Sequence, residues 1–449
     1  MSSQSVDDGT SRNTPSAGTP AWGDLVRRPH GLRGRLFTRG ADRLFRRAAK
    51  KLPVRVEYPD GTVVGAHGGS DILPRMIIRR PDAFAERMGT RGLIGFGEAY
   101  MVGDWTSPDP AAVLTAFATK MARLVPRPLQ RMRGLFVANP PATEHGSEEN
   151  ARSNISRHYD LSNELFGLFL DPTMTYSAAL FSEPVADGVE RGVELLRVDQ
   201  PCPPATWEQL EQAQHNKIDR LLDAVGVQRG TRLLEIGTGW GELCIRAAAR
   251  GAIVRSVTLS REQQELARKR VDSAGHGDSV HIDLMDYREI EGSYDAIVSV
   301  EMIEAVGHQH WQTYFGALDE LLAPGGRVAL QAITMPHDRM LATKKTYTWV
   351  QKYIFPGGFL PSVEAIETVA SEHTSLRVAE RLRMGSHYAE TLRLWQERFG
   401  AASADAEALG FDETFRRMWK FYLAYSEAGF RSGYLDVQQI VLHRDEVVR

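Results

Sequence analysis

A glycine-rich turn is the first stretch of this sequence whose residue types and spacing could do chemistry. The apolar run 233–236 contains Glu235 and leads into Gly237, Gly239 and Gly241, after which a helical pattern begins. Glycines let a backbone turn sharply and let a ligand approach it closely. Because the third glycine follows the second by two residues and not three, the turn fits an adenosine-type methyl donor better than a dinucleotide. Such a motif is weak by itself, since ordinary strand-to-helix turns also carry glycines.

Polar side chains also follow the ends of the next three predicted strands. They are Thr258, Ser260 and Gln263 after the second strand, Asp286 and Tyr287 after the third, and Glu301 and Glu304 after the fourth. Taken singly, each is more often a helix cap or a turn residue. In order at successive strand ends they support S-adenosylmethionine binding. Gln263 would replace the usual ribose-binding acid, Asp286 would accept from the adenine amino group, and Tyr287 would stack on the ring.

The elements that must position these residues follow an alternating pattern from residue 231 onward. Predicted strands cover 232–236, 253–259, 280–284, 294–300 and 327–333, with a last strand at 437–443. Predicted helices cover 207–224, 242–250, 261–274, 311–322, 388–399 and 411–430. Such alternation indicates an α/β fold with a parallel sheet, helices on both faces and a ligand at the carboxyl ends of the strands.

Composition shifts divide the rest of the chain. We predict a disordered lead-in over 1–23, a small α+β domain over 24–125 and a linker over 126–153, with the alternating domain over 154–449. Within the small domain, 54–64 alternates around Pro-Asp-Gly and predicts a β-hairpin, followed by a helix at about 82–92. Two insertions are expected in the large domain, an irregular one over 183–205 and a helical, aromatic one over 335–361.

Residues 27–51 are the most unevenly charged segment, with ten Lys or Arg against the single acid Asp42. Apolar residues recur there at three- and four-residue spacing, which places them on one helical face. One interpretation is a solvated helix packed on the next domain. The other is a basic amphipathic helix lying on anionic lipid, where each cation contributes about 1 kcal/mol. The segment alone favours neither.

The overall composition sets further limits. The chain has 449 residues, a formal net charge of −3, 42% hydrophobic residues and 25% charged residues, which excludes a globally basic nucleic-acid binder. Only Cys202 and Cys244 are present, without partnering His or Cys spacing, so we expect no disulfide framework, no metal site and a reducing cytosol. No run of about 18 apolar residues predicts a membrane span, and the first residues are unlike a secretion signal.

Six segments together resemble the cyclopropane fatty acid synthase family. They are His158-Tyr-Asp-Leu-Ser-Asn-Glu-Leu-Phe166, Leu170-Asp-Pro-Thr-Met-Thr-Tyr-Ser177, Leu233-Leu-Glu-Ile-Gly-Thr-Gly-Trp-Gly241, Met302-Ile-Glu-Ala-Val-Gly307, Lys352-Tyr-Ile-Phe-Pro-Gly-Gly-Phe-Leu-Pro-Ser362 and His387-Tyr-Ala-Glu-Thr-Leu392. The likeness covers the chain from about residue 52 to its end. Glu242, Gln331-Ala-Ile-Thr-Met335 and Ala424-Tyr-Ser-Glu-Ala-Gly-Phe-Arg-Ser-Gly-Tyr434 are most similar to the family's actinobacterial branch that forms tuberculostearic (10-methylstearic) acid.

The resemblance implies a class I S-adenosylmethionine-dependent methyltransferase, with a Rossmann-like seven-stranded sheet. Its reaction would be C-methylation of the cis double bond of oleoyl chains in phospholipids, giving a 10-methylene product. A flavin- or NADPH-dependent reductase would then saturate that product. A true cyclopropane synthase is the alternative, and a non-catalytic lipid-binding protein on a decayed enzyme fold is the alternative from another class. The implied setting is cytoplasmic, peripheral on the inner face of the cell membrane, with a phospholipid surface as partner, no nucleic acid, and a possible homodimer.

The resemblance also assigns the base. In the family, a bound bicarbonate is held by a glutamate, a histidine, a tyrosine and backbone groups; by motif these side-chain positions hold Glu304, Gln331 and Tyr388. Ala178 and Ser426 stand where relatives carry cysteines, which argues against a covalent cysteine mechanism. Since a Gln amide cannot carry a proton, the expected base is bicarbonate or Glu304 itself.

Two further groups of residues follow from the same likeness. Tyr176 and Ser177 are expected at the donor, beside Glu235 and the glycines. The segment 335–430 is expected to bind the acyl chain through aromatic faces that stabilise a cation. Those rings are Tyr347, Trp349, Tyr353, Phe355, Trp395 and Tyr422, although most aromatic residues in such a segment are ordinary core.

Overall fold

Two sheets organise the chain. The computed structural model describes residues 32–65, 73–124, 162–344 and 346–444, together with Trp22 and Leu25. The rest of the predicted lead-in 1–23, the linker 126–153 and the first residues of the motif at His158 lie outside these ranges. Within them, a four-stranded sheet and a nine-stranded sheet each carry their own helices, so the predicted α/β class with a small α+β unit is confirmed.

The N-terminal unit surrounds the small sheet. Its elements are α1 (Leu32–Ala49), β1 (Arg55–Glu57), β2 (Val63–Gly65), β3 (Arg75–Ile78), α2 (Pro81–Met101), β4 (Trp105–Thr106) and α3 (Pro110–Leu124). The strand order is β2-β1-β3-β4, and β1 pairs antiparallel with β2 as the predicted hairpin. The helix predicted to end near residue 92 continues to Met101 after a break at Gly92, whose φ is 56°.

The large sheet begins after residue 162. Its elements are α4 (Asn163–Gly167), β5 (Val185–Glu190), β6 (Val193–Arg197), α5 (Trp207–Ala224), β7 (Arg232–Ile236), α6 (Glu242–Ala249), β8 (Ile253–Thr258), α7 (Arg261–Ser273), β9 (Val280–Leu284), β10 (Tyr294–Val300), α8 (Ile303–Val306), α9 (Trp311–Leu321), β11 (Leu322–Thr334), α10 (His337–Thr343), α11 (Trp349–Tyr353), α12 (Val363–His373), β12 (Leu376–Arg383), α13 (Gly385–Ala401), α14 (Ser403–Ala408), α15 (Glu413–Arg431) and β13 (Asp436–Arg444). All six strands predicted from the sequence are present.

The strand order β5-β6-β12-β13-β11-β10-β7-β8-β9 extends the expected seven-stranded sheet by two strands. Strands β7 to β11 are parallel, and β13 runs antiparallel between β11 and β12. The two extra strands, β5 and β6, form a hairpin where an irregular insertion was expected over 183–205. All six residues of β5 are exposed, so its sequence lacks the apolar alternation that marks a half-buried strand.

The N-terminal unit packs on the late helices of the large domain. Arg417 of α15 donates to the carbonyl oxygens of Tyr100 (2.7 Å) and Trp105 (3.1 Å). A side chain at Gly97 would lie 2.6 Å from the indole nitrogen of Trp349, so α2 approaches α11 as closely as a glycine permits. The acyl-binding segment expected over 335–430 is therefore in direct contact with the N-terminal unit.

Candidate active site

The glycine turn joins β7 to α6 at the carboxyl edge of the sheet. Gly237, Gly239 and Gly241 all have positive φ, of 100°, 52° and 91°, in the region that side chains disfavour. A Cβ at Gly237 would lie 2.6 Å from Cγ of Met302, whereas at Gly239 it would meet nothing within 4 Å. The turn therefore leaves an open space over its backbone. This cradle fits the adenosyl donor that the sequence predicted.

Glu235 lies beneath this turn. It is 3% exposed, and its Oε2 accepts from the Cys244 thiol at 2.9 Å and from the Ser256 hydroxyl at 2.6 Å. Burial raises its pKa to about 7, against the smaller opposing effect of those two donors. Cys244 belongs to α6 and Ser256 to β8, and Ser256 Oγ also lies 2.6 Å from Thr238 Oγ1 in the turn. Glu235 therefore contacts the neighbours of the turn, and its expected role toward the donor stays a prediction.

The next two strand ends carry the residues expected at the ribose and adenine. Thr258 Oγ1 donates to Gln263 Oε1 at 2.9 Å, and Ser260 caps α7 by accepting from the Gln263 backbone N–H. Asp286 accepts from the Arg288 guanidinium at 2.7 and 2.8 Å. The ring of Tyr287 meets Tyr314 edge-on at 5.3 Å. Their roles toward adenine and ribose stay predictions.

Glu301, directly after β10, is the centre of the opposite half of the site. Its Oε1 accepts from the Ala178 backbone N–H at 3.0 Å and from Gln331 Nε2 at 2.8 Å. Its Oε2 accepts from the Tyr388 hydroxyl at 2.8 Å. The backbone of Glu301 has φ of 52°, a conformation that is costly for a residue with a side chain and that clusters at functional sites.

Glu304 stands one helical turn further along the chain. Its Oε1 accepts from the Ile333 backbone N–H, while Oε2 is buried without a partner in the part of the chain that the structure describes. Burial, and next the charge of Glu301, raise the pKa of Glu304 to about 8. Burial also raises the pKa of Glu301, although Ala178, Gln331, Lys217 and Tyr388 oppose it. Two neighbouring carboxyls that disfavour simultaneous ionisation are a recurring acid–base arrangement.

Ser177 and Tyr176 connect the two halves. Lys217, which is 1% exposed, donates to Ser177 Oγ at 2.6 Å, and its burial lowers the pKa of its ammonium to about 8. The hydroxyls of Tyr176 and Tyr422 are 2.8 Å apart, and the Tyr176 ring lies 5.3 Å from that of Trp395. Trp395 in turn meets Tyr388 edge-on at 6.1 Å. Tyr388, whose hydroxyl donates to Glu301, thus belongs to a group of aromatic rings that includes Trp395 and Tyr176.

The structure divides the six predicted acyl-binding rings. Phe355, Tyr422 and Trp395 belong to the group beside Tyr176 and Tyr388. Trp349 and Tyr353 instead face the N-terminal unit, because Trp349 packs on Gly97 and the Tyr353 hydroxyl donates to Glu98 at 2.8 Å. Tyr347 is half-buried against the same core.

The structure bears on the sequence-based assignments of Ser426 and Glu301. Ser426 is half-buried on α15 and makes no hydrogen bond to Glu301, Gln331 or Tyr388 among the described contacts. From the sequence alone Glu301 is a strand-end acid without an assigned role, whereas in the structure it is the residue to which Gln331 and Tyr388 both donate. The available signal was its place directly after a buried strand and three residues before Glu304.

Among the described residues, no three His, Cys, Asp or Glu side chains converge as a metal would require. Within the same ranges, every helix is too short or too polar to cross a bilayer.

Comparison with known proteins identifies close relatives. A family model described as mycolic acid cyclopropane synthetase matches residues 146–440. The chain is 54% identical to tuberculostearic acid methyltransferase UfaA1 of Mycobacterium tuberculosis, over 96% of this chain and 98% of that protein. It is 33% identical to the cyclopropane-fatty-acyl-phospholipid synthase of Escherichia coli, over 82% of this chain and 87% of that protein.

Two solved structures of cyclopropane synthases also resemble this chain. The cyclopropane synthase MmaA2 from Mycobacterium tuberculosis superposes with a TM-score of 0.55 at 32% identity, over 65% of this chain and 97% of that one. Mycolic acid cyclopropane synthase CmaA1, solved with S-adenosylhomocysteine and CTAB, gives a TM-score of 0.55 at 31% identity, with the same coverage of 65% and 97%. The predicted methyltransferase fold is confirmed.

Proposed function

This chain belongs to the mycolic acid cyclopropane synthetase family of S-adenosylmethionine-dependent methyltransferases, and we propose that it methylates the cis double bond of oleoyl chains in phospholipids to give a 10-methylene product. The relative at 54% identity, named for tuberculostearic acid, favours this product over the cyclopropane ring made by the relative at 33%. The enzyme is a methyltransferase of fatty acyl chains in either case.

The donor-binding half supports this proposal through its shape. Gly237, Gly239 and Gly241 would hold the adenosylmethionine along the turn, and Tyr176 and Ser177 would approach its methionine part. S-adenosylmethionine supplies an electrophilic methyl group when bound. The chain must do the rest: align a weakly nucleophilic alkene, exclude water, shelter a positive charge and remove a proton.

The carboxylate of Glu301 is the observation that carries the proposal. Two of the side chains that would hold a bicarbonate ion in the family, Gln331 and Tyr388, donate here to the protein's own carboxylate, and so does the Ala178 N–H. We therefore propose that Glu301 takes the place of bicarbonate as the base. Three donors and the buried Lys217 ammonium favour its ionised form, while the surrounding rings stabilise a neighbouring cation.

The steps that follow methyl transfer to the acyl chain end with removal of a proton by Glu301. Once the alkene has gained a methyl group at one carbon, the positive charge lies on the other carbon. A hydride shift moves the charge to the methylated carbon, and Glu301 removes a proton from the new methyl group. The electron pair of that C–H bond forms the double bond between the chain carbon and the new methylene group. Glu301 must then release its proton before another turnover.

An assay on vesicles tests the reaction and the base together. The purified chain is incubated with S-adenosylmethionine and dioleoyl phospholipid in carbon-dioxide-free buffer, and the product is examined by proton NMR. We expect the proton signals of a =CH2 group on the acyl chain, and the same rate of methylation after bicarbonate is added. Cyclopropane signals would assign the other product. A rate that requires bicarbonate would contradict the role of Glu301, and the absence of donor-dependent methylation would leave only lipid binding.

Helix α1 supports a further part of the proposal, attachment to the membrane surface. Phe45 and Ala49 of α1 are buried, with the Phe45 ring 4.9 Å from Phe84, so one face packs on the N-terminal unit. The other face exposes Leu44, together with Arg43, Arg47, Lys50 and Lys51. The packed face fits the first interpretation of this basic segment, and the exposed cations support the second. The exposed face suits the anionic cytoplasmic surface of a membrane.

Co-sedimentation with vesicles tests this attachment. Changing Arg43, Arg47, Lys50 and Lys51 to Gln should abolish salt-sensitive binding to vesicles that contain phosphatidylglycerol. A control replaces four exposed cations elsewhere, Arg229, Arg232, Lys269 and Arg327. Equal binding by both variants would contradict the role of α1. The reductase that would saturate the methylene product and the homodimer stay predictions, because no contact in the structure tests them.

A further inference from the structure

A chain of buried amides leads from the proposed catalytic carboxylate of Glu301 to the guanidinium of Arg220. Gln331 on β11 and Gln439 on β13 are cross-strand partners, with exposures of 1% and 0%. Gln439 Nε2 donates to Gln331 Oε1 at 3.1 Å. Arg220 of α5 donates to Gln439 Oε1 at 2.6 Å and also pairs with Glu380 of β12.

The orientation of the Gln439 amide does not depend on Gln331. A guanidinium can only donate, so Arg220 requires the oxygen of Gln439 to face it. The nitrogen of Gln439 also donates to the Lys217 carbonyl oxygen at 3.3 Å, and a carbonyl can only accept. Arg220 and the Lys217 carbonyl oxygen are each compatible with only one orientation of the Gln439 amide, and that orientation is the same for both.

The next amide inherits this orientation. Because the Gln439 nitrogen faces Gln331, the Gln331 oxygen must accept, and its NH2 group turns to Glu301 at 2.8 Å and to the Ala178 carbonyl oxygen at 3.4 Å. A carboxylate accepts from that NH2 group, whereas a protonated carboxyl would present a second donor to it if its proton were on Oε1. The order of donors from Arg220 to Glu301 therefore favours the ionised carboxyl.

We propose that Arg220 and Gln439 are positioning residues, which hold Glu301 ionised by determining which end of the Gln331 amide it meets. The inference rests on the proposed role of Glu301 as the base. Other groups also face this carboxylate: Lys217 of α5 favours its charge and Tyr388 of α13 donates to it, while Glu304 of α8 is the neighbouring carboxyl whose pKa its charge raises. None of these contacts changes when the amide orientation changes. The effect of Arg220, Gln439 and Gln331, which we call the relay, can therefore be separated from the effects of the other groups.

Paired substitutions of Gln439 test the direction of the relay. In Q439E the new carboxylate faces Arg220 and accepts from Gln331, so the Gln331 amide rotates and presents its oxygen to Glu301. In Q439L the bonds are lost without being reversed. Since the base works when deprotonated, a higher pKa of Glu301 moves the acid limb of the pH–rate profile to higher pH. We expect a shift of about one pH unit in Q439E and about half a unit in Q439L.

Substitutions of Arg220 test the same idea without changing the amides. R220K keeps a cation that can only donate, so it should retain the wild-type pH profile, whereas R220M should shift it like Q439L. R232M, which removes an exposed ion pair with Asp295, is the matched control and should leave the profile unchanged. Titration calorimetry with S-adenosylhomocysteine should show unchanged donor binding in all variants.

The outcomes separate two failures. If wild-type protein is active, E301Q is inactive, and every relay variant keeps the wild-type pH profile while losing only thermal stability, the relay is structural and the inference is wrong. If E301Q itself keeps wild-type turnover, the base assignment fails and the relay has no target. Should Q439E fold poorly, the comparison of R220M with R220K gives the answer by itself.

Discussion

The two halves of the site are built by opposite means. The donor half is a short stretch of backbone, in which three glycines with positive φ follow one strand within five residues. The base half is an assembly of side chains from distant parts of the chain: Glu301 is 87 residues from Tyr388 and 123 from Ala178. A backbone cradle leaves a pattern in the sequence, whereas a side-chain assembly exists only after folding.

The two halves also differ in what they require of a buried carboxyl. Glu235 under the turn has a pKa near 7, with two side-chain donors, one of them a thiol. Glu301 has three oxygen or nitrogen donors and a nearby ammonium. The first can support its turn in the neutral form. The second must be ionised to remove a proton, so the same change from Glu to Gln should have different effects in the two halves.

The substitution E301Q should have the largest effect. A neutral amide cannot accept the proton, so turnover should fall about 1000-fold, within the range that general bases contribute. Donor binding should stay near wild type, because the glycine turn is untouched. Methylation of dioleoyl vesicles measures the first quantity and titration calorimetry with S-adenosylhomocysteine the second. The difference between the halves disappears if both quantities fall together.

The converse change is Gly239→Val in the turn. A β-branched residue at φ of 52° is strained, and its side chain would project into the open space where the donor is expected. We expect S-adenosylhomocysteine to bind about 100-fold more weakly, while the fold and the Glu301 assembly remain. Calorimetry measures the loss, and the control is a single cooperative melting transition at a temperature lowered only by the backbone strain. Wild-type affinity would show that the donor lies elsewhere.

The sequence predicts the local backbone elements well and the assembly of distant side chains poorly, which is the same difference as that between the two halves of the site. The strands 232–236, 280–284 and 294–300 were predicted with the bounds that the structure gives. The first and third are short, mostly buried and largely apolar, and the second, at the edge of the sheet, alternates apolar and polar residues. Strand β12 was missed because four of its eight residues are charged and a register shift between Val378 and Glu380 interrupts the alternation that predicts a strand. Tyr388 and Gln331 were found only through family likeness, and their shared partner Glu301 needed the fold.

A smaller effect is expected from E304Q. The pKa of Glu304 is near 8 because of burial and the charge of Glu301, so at neutral pH the side chain is mostly protonated and Gln resembles that form. Turnover should fall about tenfold at most, through the altered bond to Ile333 N–H. Glu304 is already neutral at the pH where Glu301 ionises, and Gln is neutral too, so the pKa of Glu301 should be nearly unchanged. The acid limb of the pH–rate profile should therefore stay in place, and a move to lower pH would show that Glu304 is charged there and opposes the ionisation of Glu301.

The smallest effect on activity should come from E235Q, the counterpart of E301Q in the donor half. Gln keeps an oxygen for Cys244 and Ser256, so donor affinity should change by only about threefold. Stability should respond to pH instead. The pKa of Glu235 is raised in the folded chain from 4.5 to about 7, so its contribution is fully present below pH 4.5 and is lost as the pH rises through 7, about 3 kcal/mol in all. E235Q has no proton to lose, so its free energy of unfolding in urea should decline less than that of wild type between pH 5 and pH 8. An identical decline would mean that Glu235 is ionised in the folded chain throughout, and the contrast with Glu301 would be lost.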